Sequence, residues 1–205
     1  LAGIRPDDLA ALVLRALMER NHLPGNSIEE VILGCANQAG EDNRNIARMA
    51  ALLSGLAVET SALTVNRLCA SGLSAVSQAA RAIKCGELQA ALAGGVESMS
   101  RAPYSLPKAE KSFPFGNLTA WDTALGWRYP NPLLVERGYT ISLGETAENI
   151  AEQYCIGREE QDAFAVESYK RSQTAIQSGL FQDEICAVAV DMGKKGVINV
   201  SHDEE

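Results

Sequence analysis

Residues 65–76 of the chain read VNRLCASGLSAV, and Cys69 stands where an apolar run, Ala62 to Val65, gives way to small residues. The apolar run predicts a buried strand, and the small residues that follow predict a helix. The first backbone N–H groups of a helix have no partner within it, so they stabilise a thiolate at its start. This stretch therefore presents Cys69 as a candidate nucleophile. A buried structural cysteine is the alternative.

The helix predicted from Ser71 to Lys84 consists almost wholly of small side chains, and its large apolar residues are Leu73, Val76 and Ile83. Because small side chains let other backbones approach closely, we expect an internal helix between two layers, with its N-terminus aimed at a pocket. Gly86 then ends the helix. Residues 88–93 predict a buried strand, which a turn at residues 94–95 stops.

The same alternation of helix and strand begins upstream. Residues 6–20 predict a helix with an acidic first turn, residues 31–33 predict a buried strand, and residues 46–54 predict a second helix. The resulting order of three helices and three strands indicates an α/β fold with a parallel-rich sheet that helices cover on both faces.

The second half of the chain begins with a region of different character. Residues 101–143 contain both tryptophans and five of the seven prolines, which is typical of a functional loop region. An irregular subdomain with its own small core is the alternative. Helices from Thr146 and from Arg158 are predicted next, then a strand over residues 184–190 and a hairpin turn at residues 193–196.

Composition restricts the class of protein. The formal charge of −8 argues against nucleic acid and anionic membrane surfaces as partners. Five cysteines without a C-x-x-C pair, together with two histidines, favour reduced thiols in a cytoplasmic protein over a disulfide framework or a zinc site, and we expect no metal. Core positions are predicted for Cys35, Cys155 and Cys186.

The segment 65–83 resembles the acyl-enzyme signature of the thiolases, with Asn66 three residues before Cys69 and with Ser71, Gly72 and a hydrophobic residue after it. The run AGGVESMS at residues 93–100 is also similar to that family, and the resemblance extends along nearly the whole chain. It implies the α/β fold of a thiolase N-terminal half with an inserted loop domain. It also implies that Cys69 is the catalytic cysteine that carries the acyl group.

The resemblance further implies a division of the chain into an α/β core that carries the nucleophile (residues 1–100), a loop domain with helices (101–180) and the final strands of this half (181–205). Ser142 and Leu143 fall where the family contacts coenzyme A, which is a substrate and not a permanently bound cofactor. The catalytic His and the second Cys of the family belong to a half that these residues do not contain. We therefore expect an N-terminal fragment that is inactive alone.

Two further runs, NQAGEDNRN at residues 37–45 and GWRYPNP at 126–132, resemble the branch of thiolases that cleaves 3-oxoadipyl-CoA in aromatic catabolism. Such a substrate ends in a carboxylate, which Arg128 could pair with; a solvated loop arginine is the alternative. The family also implies a homo-oligomer, dimer or tetramer, whose partners are acyl-CoA and CoA. A general acetyl-CoA acetyltransferase, a ketoacyl-synthase-like condensing enzyme and a non-catalytic scaffold of the same fold stay open as alternatives.

Overall fold

The computed structural model describes residues 1–203, which form two compact units. The first unit comprises residues 1–125 and 186–203, and the second comprises residues 126–185. The predicted final segment, 181–205, includes residues 204 and 205, which lie outside the described residues. The functional division at residues 100 and 180 stays a prediction.

The first unit is built on three helices and three strands that alternate along the chain. They are α1 (Pro6–Arg20), β1 (Glu30–Gly34), α2 (Ile46–Ser54), β2 (Ser61–Val65), α3 (Ser71–Cys85) and β3 (Ala91–Gly95). The strands form one parallel sheet in the order β2-β1-β3. The predicted α/β fold is therefore confirmed.

Both faces of the sheet are covered because successive side chains of a strand point to opposite sides. Val31 and Leu33 of β1 belong to a hydrophobic cluster with residues of α1 and α2. Ile32 points the other way and packs with Ala75 and Ala79 of α3. The central strand is consequently buried along most of its length.

Helix α3 packs one face on the sheet and leaves the other exposed. Small side chains, Ala75 and Ala79, allow the close contact on the inner side. On the outer side Leu73 is 71% exposed and Val76 is 50% exposed. The sequence predicts a layer on each side of this helix. Within residues 1–203, the structure places the sheet on its inner side and no second layer on its outer side.

Strand β3 differs from the prediction at both ends. It begins at Ala91 and continues through the two glycines that were expected to form a turn. The two glycines stay in the strand because β3 pairs with β1, and in this pairing Gly95 lies opposite Gly34. A Cβ on Gly95 would stand 3.0 Å from the Gly34 carbonyl oxygen, so a glycine suits this position in the strand.

Two short antiparallel pairs complete the first unit. After a 3-10 helix, Met99–Arg101, strand β4 (Tyr104–Ser105) pairs with β5 (Trp121–Asp122). Strand β6 (Val188–Asp191) pairs with β7 (Val197–Val200), and a 3-10 turn at Gly193–Lys195 links them, which confirms the predicted hairpin. Strand β6 begins four residues later than predicted because the N–H groups of Glu184 and Ile185 donate to the Phe181 carbonyl in a turn.

The second unit contains three helices, α4 (Pro132–Glu136), α5 (Leu143–Tyr154) and α6 (Arg158–Gln177). Helix α5 begins three residues before the predicted start at Thr146, because Ser142 caps it. Across residues 1–203, none of the helices combines the length and apolar character needed to cross a membrane.

Candidate active site

Cys69 lies in the turn between β2 and α3, at the edge where all three parallel strands end. The strands end at Gly34, Val65 and Gly95. In open parallel sheets, ligands bind in the crevice beyond this edge. Here the edge forms a cleft of about 400 Å³, and Cys69 is exposed in its lining together with Ala36, Gly72 and Glu97. The predicted nucleophile therefore stands in a cleft.

The backbone just before Cys69 adopts an unusual conformation. Leu68 has φ = 49°, in the left-handed region that bulky residues rarely occupy. Its N–H donates to Oδ1 of Asn66 at 2.9 Å. Its carbonyl accepts from the Ser71 hydroxyl at 2.6 Å and from the Ser71 N–H at 3.0 Å. Hydrogen bonds on both sides of Leu68 thus fix the direction in which the chain enters Cys69.

Ser71, the first residue of α3, is buried and holds the turn from the helix side. Besides bonding Leu68, its hydroxyl accepts from the Arg67 N–H at 2.8 Å. The sequence predicts that the first N–H groups of α3 stabilise the sulfur of Cys69. The Ser71 N–H cannot do so, because it already donates to the Leu68 carbonyl.

Gly34 brings the end of β1 into direct contact with the start of α3. A Cβ on Gly34 would stand 2.5 Å from the Gly72 nitrogen and 2.7 Å from the Ser71 Cβ. Real Cβ atoms do not approach other atoms this closely, so only glycine lets the two elements meet. Gly34 had no predicted role in the site, although a glycine at the end of a buried strand is a signal for close backbone approach.

Glu97 connects the ends of β3 and β1. Its Oε2 accepts from the Ala36 N–H at 2.8 Å, and its Oε1 accepts from the Asn37 N–H at 3.1 Å. The Ala36 carbonyl in turn accepts from Nδ2 of Asn66 at 3.0 Å. Glu97 and Asn66 both belong to the family-like motifs, but neither had a predicted role. The structure shows that both join the strand ends around the cleft.

Cys35 occupies the interior next to this network, as predicted, and is 1% exposed. Its sulfur lies within 4.8 Å of carboxylate oxygens of Asp42 and Glu97, a group of atoms that could hold a metal ion. Two backbone N–H groups already donate to the Glu97 carboxylate, and one donates to that of Asp42. Burial, together with the charges of Glu97 and Asp42, raises the pKa of the Cys35 thiol to about 12. Near neutral pH a thiolate is therefore even less accessible at Cys35 than at a cysteine of ordinary pKa.

Cys155 and Cys186 depart from the core positions predicted for them. Cys155 is exposed and has φ = 53° as the residue that ends α5, and Cys186 is only partly buried. The prediction for Cys155 was wrong because Cys155 ends α5, a helix that has no buried residue in the structure. Cys85, the last residue of α3, is also exposed.

Ser142 and Leu143 belong to the second unit, where they start α5. The Ser142 hydroxyl accepts from the Glu145 N–H at 3.1 Å, and the Glu145 carboxylate accepts from the Ser142 N–H at 2.7 Å. This reciprocal pair holds the pKa of Glu145 below its usual value. Leu143 is 81% exposed. Ser142 thus has a structural role as a helix cap, and contact with coenzyme A stays a prediction for both residues.

The whole chain, residues 1–205, matches the family model described as the thiolase N-terminal domain. The chain therefore belongs to the thiolase family. Among its relatives it is 51% identical over 207 residues to the beta-ketoadipyl-CoA thiolase of Pseudomonas aeruginosa. It is 52% identical over 206 residues to the 3-oxoadipyl-CoA/3-oxo-5,6-dehydrosuberyl-CoA thiolase of Escherichia coli.

The matches cover 100% of this chain and 51% of each of these two relatives, so the chain spans about half of their length. The fold agrees with a solved structure, the acetyl-CoA acetyltransferase of Bacillus anthracis. That match has a TM-score of 0.83 and 34% identity, and it covers 100% of this chain and 50% of the other. The predicted thiolase-like N-terminal fold is thereby confirmed.

Proposed function

We propose that the protein carrying this chain is a thiolase-type acyltransferase, which cleaves 3-oxoadipyl-CoA with CoA through an acyl group held on Cys69. The proposal rests on the location of Cys69, which is exposed on a fixed turn in a cleft at the ends of three parallel strands. Family membership supports the reaction class. The buried and protonated Cys35, by contrast, is unsuited to the role of nucleophile.

The proposed chemistry proceeds in two half-reactions. The Cys69 thiolate attacks the 3-oxo carbonyl of the substrate, the bond between C2 and C3 breaks, and C2 takes up a proton as acetyl-CoA leaves. The remaining acyl group is then a thioester on Cys69, and the thiolate of CoA takes it and releases the cysteine. The backbone N–H of Cys69, just before the helix, is the proposed donor to the oxyanion formed in each attack.

Proton transfer in both half-reactions requires a base and an acid near the sulfur. Neither His22 nor His202 lines the cleft at Cys69. His22 lies in the loop after α1, and the His202 ring shares a hydrogen bond with the Ser201 hydroxyl near the end of the described residues. We therefore assign these proton transfers to groups outside residues 1–205. Reaction in the direction of condensation would use the same acyl-cysteine.

The proposed substrate, 3-oxoadipyl-CoA, is supported by the names of the two relatives at 51% and 52% identity. Its free carboxylate needs a cation or polar donors if the pocket excludes water. The proposed cation is Arg128, which is partly buried in the second unit. A general acetyl-CoA acetyltransferase is the second candidate, and likeness to the Bacillus anthracis enzyme favours it.

Steady-state kinetics separates the two candidates. We expect kcat/KM for 3-oxoadipyl-CoA to exceed that for acetoacetyl-CoA, while comparable values would favour the general acetyltransferase. Arg128→Gln should lower kcat/KM for 3-oxoadipyl-CoA roughly 10- to 100-fold, because a hydrogen bond to a charged group contributes about 1.5–3 kcal/mol. The value of kcat/KM for acetoacetyl-CoA should not change in this variant. Arg137→Gln, which removes an exposed cation of the same unit, is the control.

The remaining parts of the proposal concern the protein as a whole. Coenzyme A acts as a substrate, and no cofactor is permanently bound. The protein works as a homo-oligomer, a proposal that rests on the family resemblance. All five cysteines are free, which suits the reducing conditions of the cytoplasm. The formal charge of −8 argues against a nucleic-acid partner.

A further inference from the structure

We infer that Asn66 is a positioning residue for Cys69, and that its side-chain amide fixes the Cys69 turn to the end of β1. The inference rests on the proposed function in that Cys69 is the reacting group. Asn66 would act through the backbone of the turn and would not touch the substrate.

The amide of Asn66 makes one hydrogen bond in each of two directions. Its Oδ1 accepts from the Leu68 N–H at 2.9 Å, which closes the turn over Arg67. Its Nδ2 donates to the Ala36 carbonyl at 3.0 Å, which lies beyond the end of β1. The exposed side chain of Asn66 thus closes the turn at Leu68 and also links the turn to Ala36, just after β1.

The turn needs such support because Leu68 is held at φ = 49°. A bulky residue keeps this conformation only when its surroundings fix it, and such strain is concentrated at functional sites. The carbonyl of Leu68 is bonded to Ser71, on the helix side. The N–H of Leu68 is bonded to Asn66, on the strand side. Removing Asn66 would therefore release one side of the strained residue.

Ala36 is a firm anchor for Asn66. The Glu97 carboxylate holds the N–H groups of Ala36 and Asn37, and the Cys35 N–H donates to the Val65 carbonyl at 3.1 Å. Through its two hydrogen bonds, the Asn66 amide links the fixed backbone of Ala36 to Leu68, the residue before Cys69. Because a displacement of about 1 Å can lower a rate by 10²-fold, the position of the sulfur should depend on Asn66.

Two variants separate the two hydrogen bonds. Asn66→Asp keeps an oxygen acceptor for the Leu68 N–H, but it places a second oxygen where Nδ2 donates to the Ala36 carbonyl. Asn66→Ala removes both bonds. Asn21→Asp is the matched control, because the Nδ2 of Asn21 also donates to a backbone carbonyl, that of Leu17 at 2.8 Å, at the end of α1.

The first readout is kinetic, in the protein expressed from its full reading frame with acetoacetyl-CoA and CoA as substrates. We expect kcat to fall roughly 10²-fold in Asn66→Ala and less in Asn66→Asp, with KM nearly unchanged and thermal stability kept. Asn21→Asp should retain the original kcat. An Asn66→Asp protein that keeps the original kcat would overturn the inference. A kcat that falls only in proportion to the loss of thermal stability would overturn it too.

The second readout needs no turnover and so distinguishes failure of this inference from failure of the proposed function. Iodoacetamide labelling, followed by mass spectrometry, gives the ratio of alkylation at Cys69 to that at exposed Cys85. We expect both Asn66 variants to lower this ratio and Asn21→Asp to leave it unchanged. If the original protein shows no turnover, the proposed function fails, yet an unchanged ratio in Asn66→Asp would still refute positioning by Asn66.

Discussion

Gly34 of β1 and Gly72 of α3 lie so close that a Cβ on Gly34 would stand 2.5 Å from the Gly72 nitrogen. The neighbouring atoms on the α3 side are backbone atoms, together with the Cβ of Ser71. They cannot move aside without moving the helix start, which follows directly on the Cys69 turn. The position of the candidate nucleophile therefore depends on a residue in another strand.

We predict that Gly34→Ala displaces the start of α3, destabilises the protein by about 1–3 kcal/mol and slows alkylation of Cys69. Urea unfolding and iodoacetamide labelling measure the two effects. Gly94→Ala is the control, since the nearest atom to its added Cβ would be the Leu33 Cδ2 at 3.8 Å, an ordinary contact. Unchanged stability and unchanged labelling in Gly34→Ala would show that this close approach is not required.

The environment of Cys35 predicts a dependence of stability on alkaline pH. Its pKa of about 12 in the folded protein lies above the value of about 8.5 for an unfolded chain. As pH rises above the unfolded pKa, the unfolded state loses this proton while the folded state retains it. The free energy of unfolding should therefore fall until the pH reaches the folded pKa.

Urea unfolding at about pH 8 and about pH 10 measures this effect, by comparison with Cys35→Ala. The unmodified protein should lose more stability over that interval than the variant does. Cys85→Ala, at an exposed cysteine, should behave like the unmodified protein. Equal losses in the unmodified protein and in Cys35→Ala would contradict the assignment of the raised pKa.

Ser142→Ala should lower the stability of the second unit by about 1 kcal/mol, because the hydroxyl caps α5. Ser168→Ala, at an exposed position within α6, is the control and should not destabilise it. Thermal unfolding checks both variants. A change in KM for CoA without a loss of stability would instead assign Ser142 to coenzyme A binding and not to capping.

Leu143→Glu should raise KM for CoA at least about fivefold if Leu143 lies beside this anionic substrate, since like charges about 4 Å apart repel by about 1 kcal/mol even in water. Leu133→Glu introduces the same charge at an exposed position of α4 and should leave KM unchanged. Steady-state kinetics with varied CoA is the measurement. An unchanged KM in Leu143→Glu would remove the residue from the proposed site.

The general architecture could be predicted from local patterns. Short apolar runs alternate with helical segments, and this order correctly gave a parallel sheet covered on both faces. The small residues of α3 correctly indicated a close contact with the sheet, and Cys35 was correctly expected in the core. These features depend on residues that are neighbours in sequence.

The features that sequence analysis missed depend on distant residues. Gly95 was expected in a turn, but its conformation is decided by pairing with Gly34. Glu97 holds the backbone of Ala36, 61 residues away in the chain. Local propensity carries no information about such contacts.

Residues 1–205 expressed alone should not sustain turnover, because neither of the two histidines lines the cleft at Cys69. We expect slow acylation at most, followed by a stall, and the exposed Leu73 and Val76 of α3 should promote aggregation. Thiolysis of acetoacetyl-CoA, after circular dichroism has confirmed folding, is the assay. Steady turnover that Cys69→Ala abolishes would refute this account of proton transfer.

The proposed chemistry depends on Cys69 carrying the acyl group. Its most direct test is to incubate the protein, expressed from its full reading frame, with acetyl-CoA and to map the adduct by mass spectrometry after digestion. We expect an acetyl group on the peptide that contains Cys69, and no adduct in Cys69→Ala. An acetyl group on Cys35, Cys85, Cys155 or Cys186 in place of Cys69 would contradict it.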